Sequence, residues 1–201
     1  MKNKIIIVLL IALILFGVSC ASSIQVKRVA SSKQIDLSGS WNDTDITLVT
    51  KALINSSLKS NWIDQFRVRH AKNPTVVIGT ILNRSSEHID TAIIAKRFEM
   101  ALVNTNKVDM VADIQMRSDV RQEREEQQYY ASEQSAAALG KEIGADFLLQ
   151  GAVRTVVDQI SGTTVRTYYV SAELIDIETS RKVWVGEESI KKVIQQSKYS
   201  W

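Results

Sequence analysis

ADFLLQGAVRTVV (Ala145–Val157), TVRTYYVSAELID (Thr164–Asp176) and KVWVGEESI (Lys182–Ile190) follow one another in the last third of the chain. Each is rich in β-branched and aromatic residues, which suit a pleated, half-buried strand. The links between them are short and made of turn formers: Ser161-Gly162, then Glu178-Thr179-Ser180. Strands joined by links this short run antiparallel, so a three-stranded meander is expected.

Upstream the period changes. Pro74 introduces Thr75-Val76-Val77-Ile78-Gly79-Thr80-Ile81, a β-rich run that reads as a buried strand. Before it, Asn42, Asp43, Thr44 and Asp45 are capping residues, and Ile46, Val49 and Leu53 recur at helical spacing. A helix over 44–59 follows from that pattern, with 62–68 extending or following it. After the strand, Ser85 or Ser86 is placed to cap a helix over 86–104, with Glu87 in its first turn and Ile94, Phe98 and Leu102 on one stripe. Residues 107–112 read as a short strand. Residues 118–143 read as one helix, polar in its first half and ended by Gly144. Helices alternating with strands, then a meander, predict an α+β domain. Its core is a single mixed, largely antiparallel sheet flanked by helices, with no internal repeat.

The N-terminus carries a different signal. Lys2 and Lys4 precede an apolar run, Ile5 to Phe16, followed by Gly17-Val18-Ser19-Cys20. The run is too short for a membrane-spanning helix, which needs about 20 apolar residues, and fits a cleaved export signal. The small residues before Cys20 resemble the lipobox of bacterial lipoproteins. That resemblance implies a diacylated Cys20 as the first mature residue and attachment to a membrane by lipid; an ordinary signal peptide with an incidental cysteine is the alternative. The expected division is 1–19 signal peptide, 20–36 flexible tether and 37–201 globular domain. A tether of this length reaches at most about 50–60 Å when fully extended.

Composition narrows the chemistry. Cys20 is the one cysteine in the sequence; once acylated, it leaves no thiol for a disulfide, a nucleophile or a metal. Without Lys2 and Lys4, the 25 basic residues stand almost level with the 22 acidic ones. Such balance argues against a nucleic-acid partner, which needs a basic excess. Leu139-Gly140-Lys141-Glu142 lacks the upstream glycine and the Ser or Thr of a phosphate loop. His88 has no second histidine one helical turn away, so no metal is expected. Asp176, Glu178, Glu187 and Glu188 are turn and strand-edge acids without a catalytic setting. No catalytic residue and no cofactor is assigned. The charged stretch Arg117–Gln128 reads either as a solvated helix held by weak pairs or as a partner-binding face. In the second case Arg121, Arg124, Tyr129 and Tyr130 would be the anchors. Of the tryptophans, Trp184 belongs on a strand near the core, Trp41 beside a helix start as a staple-like contact, and Trp201 at the chain end.

Several stretches together resemble the LpoB-type penicillin-binding-protein activators, a lipoprotein family related in fold to CsgG and the N-terminal domain of TolB. They are Leu37–Asp45, Glu87–Thr91, Arg121–Tyr129, Gly144–Gly151 and Val183–Gly186, in that order. The resemblance spans about residues 37–192. It implies a protein without enzymatic activity, hung from the outer membrane on its periplasmic face, that binds a bifunctional peptidoglycan synthase and raises its polymerising and crosslinking rates. The tether departs from the family's long proline-rich one, for residues 20–36 contain no proline. A CsgG-like assembly or secretion accessory is the competing reading. The sequence shows no surplus alternating segments for the membrane-spanning strands of a pore. An envelope hydrolase, the third reading, lacks a nucleophile or metal constellation.

Overall fold

A computed structural model describes residues 26–30, 33–112, 114–130 and 144–195. The chain divides into two compact units, Met1–Gln34 and Ile35–Trp201. In the first, the described residues form neither helix nor strand, and the Lys33 N–H donates to the Ala30 carbonyl at 3.0 Å. Cys20 and Trp201 lie outside the described residues.

The second unit runs α1 (Asp43–Lys59), α2 (Trp62–His70), β1 (Thr75–Arg84), α3 (Ala92–Asn104), β2 (Asp109–Val111), α4 (Ile114–Tyr130), β3 (Phe147–Ile160), β4 (Thr163–Asp176) and β5 (Lys182–Gln195). Its strands form one five-stranded sheet in the order β2-β1-β3-β4-β5. The meander is β3-β4-β5, antiparallel throughout. β1 and β2 add in parallel on the other side of β3. Parallel neighbours need a crossover, and α3 supplies the one between β1 and β2. The α+β class and the mixed, largely antiparallel sheet are therefore as the sequence implies. No helix of the described residues is long and apolar enough to cross a membrane.

Local chemistry fixes the elements. Asn42 and Asp45 close a capping box at α1: the Asp45 N–H donates to Asn42 Oδ1 at 3.2 Å, and the Asn42 N–H to Asp45 Oδ2 at 3.0 Å. The stripe of α1 buries Ile46, Val49 and Leu53; that of α3 buries Ile94, Phe98 and Leu102. α1 lies against β5, and α3 against β1 and β2. The β4 residues Tyr168, Val170, Ala172 and Leu174 alternate into the same core. Asp146 clips the parallel pair: its Oδ2 accepts from the Thr75 N–H at 2.8 Å, and its own N–H donates to the Thr75 carbonyl at 2.8 Å. The β3–β4 turn is the expected Ser161-Gly162, and Gly162 takes φ 77°, where a side chain would be strained.

Two expectations need correction. The helix expected from residue 86 begins at Ala92. Ser85 and Glu87 serve a turn instead: the Ser85 hydroxyl donates to Asn83 Oδ1 at 2.7 Å, and Asn83 Nδ2 donates to the Glu87 carbonyl at 2.8 Å. Glu87 is drawn away from the helix dipole because it finds stronger partners, described below. The long helix expected over 118–143 begins earlier, at Ile114, and is described to Tyr130; the rest of it, residues 131–143 up to the expected stop at Gly144, lies outside the described residues.

Packing over β5 is tight at one point. A Cβ on Gly186 would stand 2.5 Å from Trp184 Cζ2 and 3.1 Å from Leu53 Cδ2. Trp184 is buried, with its indole N–H on Ser56 Oγ at 3.2 Å, so it has little room to yield. Gly186→Ala is expected to cost about 2 kcal/mol by overpacking, read as a lower urea midpoint at unchanged slope; an unchanged midpoint would show that α1 can lift off β5 freely.

Candidate partner-binding site

Two of the stretches that carried the family resemblance meet in space. Leu37–Asp45 crosses the ends of β4 and β5, and the 85–90 turn folds onto it. Glu87 joins them. Its Oε1 accepts the Tyr168 hydroxyl at 2.6 Å and Arg166 Nη1 at 2.8 Å; its Oε2 accepts the Trp41 N–H at 2.9 Å. The Trp41 ring, expected beside the helix start, lies 5.2 Å from the Tyr168 ring. Alongside, Lys192 Nζ pairs with the buried Asp45 Oδ2 at 2.7 Å and donates to the Ser40 carbonyl at 2.9 Å. This knot fixes the start of the folded unit to the sheet.

Its electrostatics hold each group in one charge state around neutral pH. Burial raises the Glu87 carboxyl, but the Tyr168 hydroxyl, the Trp41 N–H and the Arg166 and Lys192 charges outweigh it, and the group ends below the ordinary carboxylate value. Burial and the Glu87 carboxylate push the Tyr168 hydroxyl up to about 12. Both shifts carry the groups away from neutrality, whereas general acid–base catalysis wants a group poised near the working pH. Among the described residues no group of His, Cys, Asp and Glu could hold a metal ion.

A second site lies on the face of the sheet turned away from α1 and α3. A cavity of about 600 Å³ opens there, lined from β1, β3, β4 and β5. Arg84 and Arg154, register partners on β1 and β3, stand at it. Neither guanidinium has a partner among the described residues. Beside them, Glu173 is held by Lys182 Nζ at 2.5 Å and Gln150 Nε2 at 2.7 Å. The hydrogen bonds from Lys182 and Gln150 keep its carboxyl below the ordinary range. Leu82, Val156, Tyr169, Val185 and Val193 leave this face exposed and partly apolar. At the end of β4 Asp176 is committed to the β4–β5 turn, accepting the Thr179 N–H at 2.8 Å.

The residues singled out from sequence lie elsewhere. Arg121 and Arg124 stand one turn apart on α4, exposed and half-buried respectively. Tyr129 and Tyr130 end that helix, with side chains outside the described set. Neither Arg121 nor Arg124 lines the cavity. Arg84 and Arg154 went unmarked. Arg154 had a readable signal, a lone cation inside the apolar run from Ala152 to Val157. Arg84 had none.

A family model described as peptidoglycan-synthase activator LpoB matches residues 45–190. No curated protein matches the sequence. Among solved structures, the LpoB C-terminal domain of Salmonella enterica superposes at TM-score 0.45 and 15% identity, covering 74% of this chain and 99% of that one. The Escherichia coli C-terminal domain gives 0.45 and 13%, with 74% and 99% covered. The solution structure of E. coli LpoB gives 0.41 and 13%, with 90% and 85% covered.

Proposed function

This chain belongs to the LpoB family of peptidoglycan-synthase activators, and from that premise we propose that it is a lipid-anchored periplasmic adaptor that binds a bifunctional penicillin-binding protein and raises its output without catalysis of its own. The observation that carries this reading is the span of the family match, from Asp45 in the α1 cap to Ile190 in β5. That span contains β1 to β4 whole and most of β5, together with Glu87, Arg166 and Tyr168 of the knot and the cavity with its two arginines.

Activation without chemistry is a shift of population. The adaptor must bind the synthase's active conformer more tightly than its resting one, and a tenfold gain needs about 1.4 kcal/mol of difference. Cys20 supplies the anchor in this reading, with residues 1–19 removed as leader and 20–36 as tether. The knot at Glu87 would then serve as the rigid end of that tether, so that pull on the chain is met by the sheet and not by a fraying α1.

The tagged full chain, crosslinked in intact envelopes and captured, is expected to bring down a bifunctional synthase; capture without any synthase would count against the reading. Cys20→Ser is expected to abolish the diacylglyceryl mass on the mature N-terminal peptide and to release the protein from the outer-membrane fraction. An unmodified Cys20 thiol in the wild type, found by mass spectrometry of that peptide, would remove the anchor.

A further inference from the structure

Two irregularities of the sheet act on the same face. In β1, Gly79 and Thr80 stand opposite the single residue Gln150, between the pairs Ile78–Leu149 and Ile81–Gly151. The extra residue reverses the alternation, so Ile81 goes to the core while Leu82 and Arg84 turn to the open face. In β5, Val183 is the extra residue between Lys182, opposite Ile175, and Trp184, opposite Leu174. That slip buries Trp184 and brings Lys182 to the open face beside Glu173. Bulges give up ladder hydrogen bonds, and they concentrate beside functional sites because they re-aim side chains. Here each bulge delivers a cation into one cavity.

The charge balance of that cavity is uneven. Arg84 and Arg154 sit on adjacent strands, about 5 Å apart at the backbone, and like charges set opposite each other destabilise a sheet. Glu173, the acid that lines the cavity with them, is already taken by Lys182 and Gln150. Two guanidinium forks are thus presented outward without a counter-charge among the described residues. Around them Leu82, Val156 and Val185 are 43%, 58% and 59% exposed. A small anion would have no use for that apolar rim, whereas a protein segment would. Arginine forks bind carboxylates in bidentate fashion, and arginines ringed by apolar contact are the usual anchors of protein interfaces.

We propose that this bulged face is the surface by which the chain grips its synthase, and that it takes an acidic segment of that enzyme carrying at least two carboxylates between apolar side chains. The identity of the partner rests on the activator reading above; the class of ligand rests on the cavity.

The test uses the full-length chain in detergent with its synthase, reading both binding and glycan polymerisation. Arg84→Glu with Arg154→Glu is expected to weaken binding about 30-fold or more, with the thermal midpoint kept. Arg84→Lys with Arg154→Lys keeps the charge but loses the forks, and is expected to fall several-fold. Binding by the wild type should weaken as salt rises from 50 to 200 mM, and the reversed variant should lose that dependence. Four results would overturn the proposal. A folded Glu double variant that binds and stimulates like the wild type leaves the activator reading standing and removes the cavity. Loss of binding in Arg121→Glu with Arg124→Glu, and not in the cavity variant, moves the grip to α4. Displacement of the synthase by saturating muropeptide assigns the cavity to stem-peptide carboxylates. A wild type that neither binds nor stimulates removes the activator reading and this assignment together.

Discussion

Glu87→Ala is expected to lower the unfolding free energy by about 3 kcal/mol, the scale for breaking a partly buried charged pair with its hydrogen bonds. The carboxylate holds three donors from two segments: the Trp41 N–H ahead of α1, and Arg166 and Tyr168 on β4. Removing it leaves the Tyr168 hydroxyl with the Gly39 carbonyl, at 3.1 Å, and leaves Arg166 at most the Ser40 hydroxyl, at 3.2 Å. For a domain of this size the loss corresponds to a fall of about 10 °C in Tm. Glu87→Gln keeps the shape and an acceptor, and is expected to cost less than half as much. The pH dependence separates charge from shape. The folded group titrates below its ordinary value, so its contribution is complete above that value and is lost as the pH falls through the lower, folded one. The stability gap between wild type and Glu87→Gln should therefore narrow in acid. Urea titrations from neutral pH down through the carboxylate range check this; a gap independent of pH would mean that the charge contributes nothing.

Phe147→Ala carries the largest loss, about 4 kcal/mol from lost burial and the cavity left behind. Phe147 is fully buried at the start of β3. Its ring meets Trp62 edge-on at 5.4 Å and Phe66 edge-on at 5.3 Å, and with Ile63 these are the residues through which α2 reaches the core. The damage should be directional. Amide exchange is expected to rise first in α2, while α3, packed through Phe98 on Trp184, keeps its protection until global unfolding. Phe147→Leu, which refills most of the volume, should cost under about 1.5 kcal/mol. Equal loss of protection in both helices would show that α2 is not a separate element of stability.

The sequence made legible what depends on local periodicity. The α1 and α3 stripes, the meander and the Ser161-Gly162 turn all follow from spacings of two, three or four residues and from turn chemistry. Ser85-Ser86-Glu87 misled because the capping pattern is local, whereas Glu87's strongest partners, Arg166 and Tyr168, lie 79 and 81 residues away. The open face was hidden for a related reason. Alternation assigns faces only while the register holds, and the β1 bulge at Gly79-Thr80 reverses it in the middle of an unbroken β-rich run. Arg84 therefore reads as a strand end, although it is the neighbour of Arg154. The charged helix drew attention because its composition is conspicuous; the paired arginines needed a fold to bring them together.

The most direct test is the rate of glycan-chain synthesis by the cognate bifunctional synthase, with and without the purified full-length chain in detergent. A rise in rate that saturates with added chain, and no turnover of peptidoglycan by the chain alone, is the predicted result. A synthase rate that stays flat at saturating chain, or muropeptide cleavage by the chain on its own, would contradict a non-catalytic activator.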